Sequence, residues 1–313
     1  MKLEYAVGIP VRNEEHTIIQ TIESVLMQTI APQEILVCVN GSSDNTYSKV
    51  KDMALAERNI NLITSNPGKP NAWNKIVIES LENNIMFCDG DVIINSEAAE
   101  NMLAKFTEKP DLIIVGGYSQ YSNQEDKTIF SRYCTENTRL TKQEGISGRL
   151  YMTKIKELLD LANKDNIKMM PPNIINEDAF LGLVTKGYRE TIDSAYNISS
   201  RVSTFHDWKT EFKRILAGQK QLKQTYPKYF RDSDYSMKKL QRYITRYNQI
   251  TDWKKKIGVA SLFIIKTALI AYYNFFDDLD YTPVWQETKS TKTELTNYQP
   301  VKTKLVVESE LAI

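Results

Sequence analysis

The 313-residue sequence has no excess of either charge: 40 Lys and Arg stand against 39 Asp and Glu, for a net charge of +1. No whole-molecule field draws such a chain to nucleic acid, so any electrostatic site must be local. It is also poor in cysteine. Cys38, Cys88 and Cys134 lie far apart and two of them stand in apolar runs, the pattern of buried free thiols in a reducing cytosol rather than of a disulfide framework. Gly-x-Gly-x-x-Gly is absent after the first apolar run, and so is a phosphate loop ending in Gly-Lys-Ser/Thr. Two common ways for an α/β sheet to hold a nucleotide are thereby removed. The chain does not open on a basic flank and apolar core, so a cleaved secretion signal is not expected. Neither an internal repeat nor a heptad run is present.

What the sequence does have is alternation. With 42% hydrophobic and 25% charged residues, it has the composition of a globular chain long enough for one large α/β unit with an appendage. Apolar runs at Tyr5–Ile9, Glu34–Val39, Asn61–Thr64 and Ile85–Cys88 read as strands. Between them lie helical stretches; in the first, Ile18, Ile22, Val25 and Leu26 recur at helical spacing. This alternation predicts a largely parallel, doubly wound sheet flanked by helices. A second region follows Leu112–Gly117. It holds a polar stretch at Tyr118–Lys127, a glycine-flanked segment at Gly145–Met152, a helix start near Asn176 and a charged amphipathic helix over Asp207–Lys223. Residues 286–313, rich in Thr, Lys and Glu, are expected to form a flexible tail.

Three places carry chemistry. Polar loops, Pro10-Val11-Arg12-Asn13-Glu14-Glu15 and Asn40-Gly41-Ser42-Ser43-Asp44-Asn45-Thr46, follow the first two strands at their C-terminal ends, where open sheets place ligands. Asn13 and Asp44 equally suit the capping of the next helices. Asp89-Gly90-Asp91 follows a strand directly; residues two apart in extended chain point the same way, so both carboxylates can face one cation. Hard oxygens suit magnesium or manganese, although the same tripeptide is also ordinary turn chemistry. Asn176-Glu177-Asp178 precedes the apolar run Ala179–Leu183 and reads as the first turn of a buried helix with Asn176 as its cap. A helix N-terminus favours an ionised Asp178 able to take a proton from a hydroxyl, and it equally suits acids that only complement the dipole.

Together, and in this order, these stretches resemble the family 2 glycosyltransferases, inverting enzymes of the GT-A fold, over roughly the first 220 residues. The resemblance implies a GT-A-type, Rossmann-like, mostly parallel sheet with a C-terminal helical extension. It implies a catalytic domain over 1–225, divided into a nucleotide-sugar-binding half (1–117) and an acceptor-facing half (118–225), then a helical region over 226–285. The activity implied is transfer of a hexose from a nucleotide-diphosphate donor, a UDP-sugar foremost, to a hydroxyl of a glycan or lipid-linked acceptor, with Mn2+ or Mg2+.

By the same resemblance Pro10, Arg12 and Glu14 belong to the opening strand and loop. Asn40, Ser42 and Asp44 belong to a base-binding element in which Val39-Asn40 replaces a common pair of aspartates. Lys69 and Asn74, in Gly68-Lys69-Pro70-Asn71-Ala72-Trp73-Asn74, lie along the donor, with Lys69 toward a phosphate. Asp91 and Asp89 are the metal element, Gly148 walls the sugar and acceptor site, and Glu177 precedes the catalytic base Asp178. Arg214, in Glu211-x-x-Arg214-Ile215-x-x-Gly218, is directed to the diphosphate, and the missing Trp of that element points away from chain polymerisation. His206 is a third metal ligand of the kind some relatives use. Two other readings stay open: a sugar-nucleotide nucleotidyltransferase, which would normally carry a Gly-rich basic loop after the first strand, and a non-catalytic nucleotide-sugar-binding scaffold.

Near the C-terminus, Trp253-Lys254-Lys255-Lys256 precedes Ile257–Phe276, a run whose one charge is Lys266. As a helix it would be about 30 Å long, just enough to cross a bilayer. A lysine at its centre costs about 2.5–3.5 kcal/mol on insertion scales. An interfacial helix over 253–276 is therefore expected, with the lysines at anionic lipid and Trp253, Tyr272 and Tyr273 at headgroup level on the cytoplasmic face. A helix buried against the catalytic domain and a true span are the alternatives.

Overall fold

The computed structural model describes residues 4–121, 145–200, 202–230, 241 and 244–275. The expected tail over 286–313, most of the polar stretch after Tyr118, and Cys134 lie outside the described residues. The chain runs β1 (Ala6–Val11), α1 (Ile18–Leu26), β2 (Glu34–Val39), α2 (Thr46–Ala56), β3 (Ile60–Thr64), α3 (Lys69–Glu79), β4 (Asn84–Cys88) and β5 (Val92–Ile94). It continues through α4 (Ala98–Glu108), β6 (Ile114–Tyr121), β7 (Leu150–Lys154), α5 (Ile155–Asn163), α6 (Glu177–Val184), β8 (Arg189–Ser199), α7 (Phe205–Thr225) and α8 (Trp253–Phe275).

The eight strands form one sheet in the order β3-β2-β1-β4-β7-β6-β8-β5. Its first half is parallel, as expected: β2 pairs with β3, and β1 with both β2 and β4. The second half is mixed. β7 runs antiparallel to β4 and β6, β6 and β8 are parallel, and β8 pairs antiparallel with β5. The turn is geometric: Gly145–Arg149 delivers the chain to β7 at the edge where β4 ends, so β7 has to run back against it.

Alternation along the central strands explains why both faces are dry. Val7, Ile9 and Val11 of β1 and Ile35, Val37 and Val39 of β2 pack with Ile18, Ile22 and Val25 of α1 and with Met102 and Leu103 of α4. Ala6, Leu36, Ile85 and Phe87 point the other way, onto Trp73 and Ile76 of α3 and Phe180 and Leu181 of α6. A period of two in a strand and of three to four in a helix is what brings these sets together. Full burial of each Ile, Val or Leu stabilises by about 1.5–3 kcal/mol before the entropy of ordering is subtracted. Gly8 has no room for a side chain, because a Cβ there would lie 2.7 Å from Ile76 and 2.9 Å from Phe87.

Candidate active site

β1, β2 and β4 are parallel neighbours, so their C-terminal ends share one edge, and the loops that follow them meet there. The first two loops are laced together. Asn13 N–H donates to Ser42 Oγ (3.0 Å) and Ser43 N–H to Asn13 Oδ1 (2.8 Å). Glu14 N–H donates to Thr46 Oγ1 (2.8 Å), Glu15 N–H to Asp44 Oδ2 (3.1 Å) and Asn45 Nδ2 to Glu15 Oε2 (2.7 Å). Asn13 thus braces the neighbouring loop rather than capping a helix, and it holds a left-handed φ of 52° to do so. Asp44 Oδ1 accepts from Thr46 N–H (3.0 Å) in the turn ahead of α2, whose N-cap position is Asn45 and carries no side-chain cap.

Several residues expected on the ligand also brace the loops around it. Pro10 lies buried inside β1 opposite Cys38, past Gly8, the last residue of β1 paired with β4. The Asn40 amide donates to Val11 O (2.9 Å) and accepts from Gly68 N–H (3.2 Å), tying three strand-end segments together. Glu14 is buried and accepts from Thr17 Oγ1 (2.9 Å), whose hydroxyl also reaches Gly90 O (3.0 Å). Asn74 pins the loop before α6 by exchanging hydrogen bonds with the Met170 backbone at 2.8 and 3.1 Å. Arg12 Nε reaches Gly41 O across the same pair of loops, at 3.4 Å.

The charged centre lies where β4, α3, α6 and the segment before β7 converge. Lys69 Nζ, in the first turn of α3, sits 2.6 Å from Asp89 Oδ1 and 2.5 Å from Glu177 Oε1. Glu177 is 2% exposed, so this is an ion triad almost out of water. Burial alone would lower the Lys69 ammonium, but the Asp89 and Glu177 carboxylates outweigh it and hold it above the usual lysine range. The same burial pushes the Glu177 carboxyl up, against the opposing charge of Lys69. Gly148 fits directly over the triad: a Cβ there would stand 2.9 Å from Glu177 Oε1 and 3.1 Å from Lys69 Nζ. Its N–H meets Asp178 Oδ2 at 3.3 Å, while Asp178 Oδ1 accepts from Ala179 N–H at 2.7 Å. Beneath these charges Trp73, Phe87 and Tyr151 stack at 5.5 and 5.3 Å between centroids, and Trp73 Nε1 donates to the Tyr151 hydroxyl at 2.9 Å.

Asp91 stands on the other side of Gly90. Burial and then the charge of Asp89 push its carboxyl up to about 6, with Arg149 and Lys69 pulling it back. Two crowded hard-oxygen donors, one of them pushed up by burial and by the charge of the other, fit a divalent cation. His206 does not join them. It lies exposed in the first turn of α7, and among the described residues no three His, Cys, Asp or Glu side chains gather as a metal set. The third ligand expected at His206 is therefore not brought to Asp89 and Asp91.

Two predictions around α6 are refined. Asn176 is the N-cap residue by position, yet its side chain makes no capping bond; Nδ2 donates instead to Ile215 O of α7 (3.2 Å). α7 passes so close that a Cβ on Gly218 would overlap the Asn176 amide. Arg214 lies half-buried in this same stretch of α7. Arg149 went unrecognised. The β4–β7 register pairs Cys88 with Leu150, which sets Arg149 beside Asp89, with Asp89 N–H to Arg149 O at 3.4 Å. A lone arginine after glycine and before a strand was its only signal.

A profile described as glycosyl transferase family 2 matches residues 6–166, just over half of the chain. Among curated relatives, the UDP-Glc:alpha-D-GlcNAc-diphosphoundecaprenol beta-1,3-glucosyltransferase WfgD of Escherichia coli is 34% identical over 149 residues, covering 46% of this chain and 58% of that protein. The poly-beta-1,6-N-acetyl-D-glucosamine synthase of Staphylococcus epidermidis is 30% identical over 118 residues, 36% of this chain and 27% of the synthase. The match thus spans little more than half of the first relative and about a quarter of the second. Among solved structures, the mannosyltransferase PcManGT of Pyrobaculum calidifontis, in complex with GDP-Man and Mn2+, superposes with a TM-score of 0.52 at 14% identity, over 88% of this chain and 83% of that one. S. aureus TarS 1–349 with UDP-GlcNAc gives 0.50 at 15% identity, over 69% of this chain and 65% of that one. These likenesses define a GT-A fold. The chain belongs to glycosyl transferase family 2.

Proposed function

We propose that the chain is an inverting, metal-dependent, non-processive transferase that moves a hexose from a nucleotide-diphosphate donor, a UDP-sugar foremost, to a hydroxyl of a lipid-linked glycan. The observation that carries the reading is the placement of Asp178. Gly148 N–H holds one oxygen of its carboxylate, and Lys69 and Glu177 connect its helix to Asp89 on the donor side. Asp178 takes the proton of the acceptor hydroxyl as that oxygen attacks the anomeric carbon and the bond to the diphosphate breaks. One displacement with inversion results, without a covalent enzyme intermediate. Asp91 and Asp89 would hold a divalent cation, Mn2+ or Mg2+, which would supply positive charge for the leaving diphosphate. Arg149 and Arg214 add fixed charge for the same group, while Lys69 keeps the two carboxylates in register.

Residues 1–225 are the catalytic domain in this reading, with donor recognition in 1–117 and acceptor recognition in 118–225, followed by a helical region over 226–285. Ile215 stands where a polymerising enzyme would carry Trp, which favours single transfer. WfgD, whose name specifies a diphosphoundecaprenol acceptor, supports a lipid-linked substrate; the place proposed for the chain is the cytoplasmic face of a membrane, reached through the long apolar helix within 253–276.

The test is Asp178→Asn. Donor binding measured by calorimetry with Mn2+ is expected to stay near wild type while transfer falls by about three orders of magnitude or more. Retained transfer removes Asp178 as base. A wild-type chain that binds donors and transfers to no acceptor would be the scaffold, and one that instead condenses a sugar phosphate with a nucleoside triphosphate would be the nucleotidyltransferase.

A further inference from the structure

We propose that α8 lies flat in the surface of an anionic bilayer, inserting one defined face while its opposite face stays docked on α7. The inference deepens the membrane reading above and rests on it. Only 22% of the most apolar stretch of α8 is buried, so it is not a core helix. The buried part is one-sided. Leu262 packs with Val202 and Trp208, Lys266 Nζ lies 5.8 Å from the Phe212 ring of α7, and Tyr273 is buried with Lys213 Nζ 5.5 Å from its ring. The expectation that Tyr273 faces headgroups is therefore corrected; Tyr272, 51% exposed, takes that place.

The turning of Lys266 decides the geometry. At 100° per residue Lys266 falls on the side of Leu262 and Tyr273, and Trp253, Ile257 and Ile264 on the opposite side. Those three are 65%, 57% and 67% exposed, and Tyr272, 51% exposed, borders them. From Ile257 to Tyr272 this outward face carries no charge: Ala260, Ala268 and Ala271 lie between the larger side chains, and the Ser261 and Thr267 hydroxyls are satisfied within the helix by Ile257 O and Phe263 O, so the exposed face calls for a covering. A span would strip α8 from α7 and carry Lys266 into hydrocarbon, whereas a helix lying in the interface keeps both the packing and the lysine where they are.

The charge pattern names the lipid. Lys254, Lys255 and Lys256 occupy the first turn, where the helix dipole disfavours cations; Asp252 Oδ1 caps the backbone there at 2.9 Å from Lys254 N. At the same 100° per residue Lys254 and Lys256 fall on either side of the exposed Trp253, and Lys255 on the side of Leu262; cations beside a tryptophan at one end of an uncharged face match phosphate headgroups.

The experiment is co-sedimentation of the full chain, without donor, with vesicles of phosphatidylcholine alone and with added phosphatidylglycerol. Binding to the anionic vesicles is expected. It should weaken on the order of a hundredfold when the three lysines become Gln, and at least about tenfold in Ile264→Asp, with calorimetric donor binding unchanged in both variants. Alkaline carbonate should release the bound protein. Failure of the wild type to bind anionic vesicles overturns the proposal, and a dimer in light scattering that Ile264→Asp dissolves would assign the face to a second copy instead. Retention through carbonate would overturn it in favour of a span. Since no donor is present, failure here leaves the transfer reading standing, and loss of transfer in solution leaves this one standing.

Discussion

At Lys69 two carboxylates that would repel one another are held by a single ammonium, one from the end of β4 and one from the start of α6. Removing one member of a buried ionic set leaves the others uncompensated, which costs about 3–5 kcal/mol. Lys69→Ala should lose stability of that order in urea unfolding, and Lys69→Ala with Glu177→Gln should regain part of it without regaining donor binding. An unchanged unfolding midpoint in Lys69→Ala would show that the triad holds nothing. This role was not legible in the sequence, where Lys69 reads as a phosphate contact. The pairing spans 20 residues to Asp89 and far more to Glu177, and no local period encodes it. The positions of Asp89 and Asp91 after β4 and of Asp178 in the first turn of α6 were legible, because a short carboxylate motif after a strand and an acidic first turn of a helix are local patterns.

Between elements, the fit of α7 over the start of α6 decides where Asp178 sits. Gly218 leaves the room that the Asn176 amide fills, so Gly218→Ala displaces that amide from Ile215 O; a loss of about 1–3 kcal/mol is expected, with a lower turnover number at near-normal donor affinity. Thermal unfolding and initial rates check this together. A second contact, between α4 and β8, is electrostatic. Lys109 Nζ meets Glu190 Oε2 at 2.6 Å, and Lys105 stands 3.4 Å from the other oxygen. The hydrogen bond from Lys109 comes first among the causes that hold the Glu190 carboxyl below its ordinary value. A group lowered in the folded state stabilises fully above its unfolded pKa, and that stabilisation is lost as pH falls through the lowered folded value. Stability measured from neutral to acid pH should therefore fall less steeply in Glu190→Gln than in wild type; identical slopes would mean that the pair does not matter.

Across the whole molecule, the site is assembled from both halves of the sheet: loops after β1, β2 and β4 on one side, the segment before β7 and α6 on the other. A ligand that bridges them binds only the folded state and stabilises it by about 2.7 kcal/mol at a concentration a hundred times its dissociation constant. UDP with Mn2+ should accordingly raise the melting temperature by several degrees, and Asp91→Ala should abolish the rise. A shift that survives in Asp91→Ala would place the cation elsewhere.

The amino-acid sequence by itself determined the first four strands, the helices between them and the order of the polar motifs, because burial on one or both faces leaves a period of two or of three to four residues that can be read locally. It also determined that carboxylates would stand at strand and helix ends. Tertiary structure alone decided that β7 runs antiparallel to β4 and so sets Arg149 beside Asp89. It decided as well that Asn40 and Asn74 brace backbone, and that Lys266 turns toward α7 while Ile264 turns to solvent. Each depends on which distant segment arrives as a neighbour, and that is set by packing the whole sheet and its helices at once.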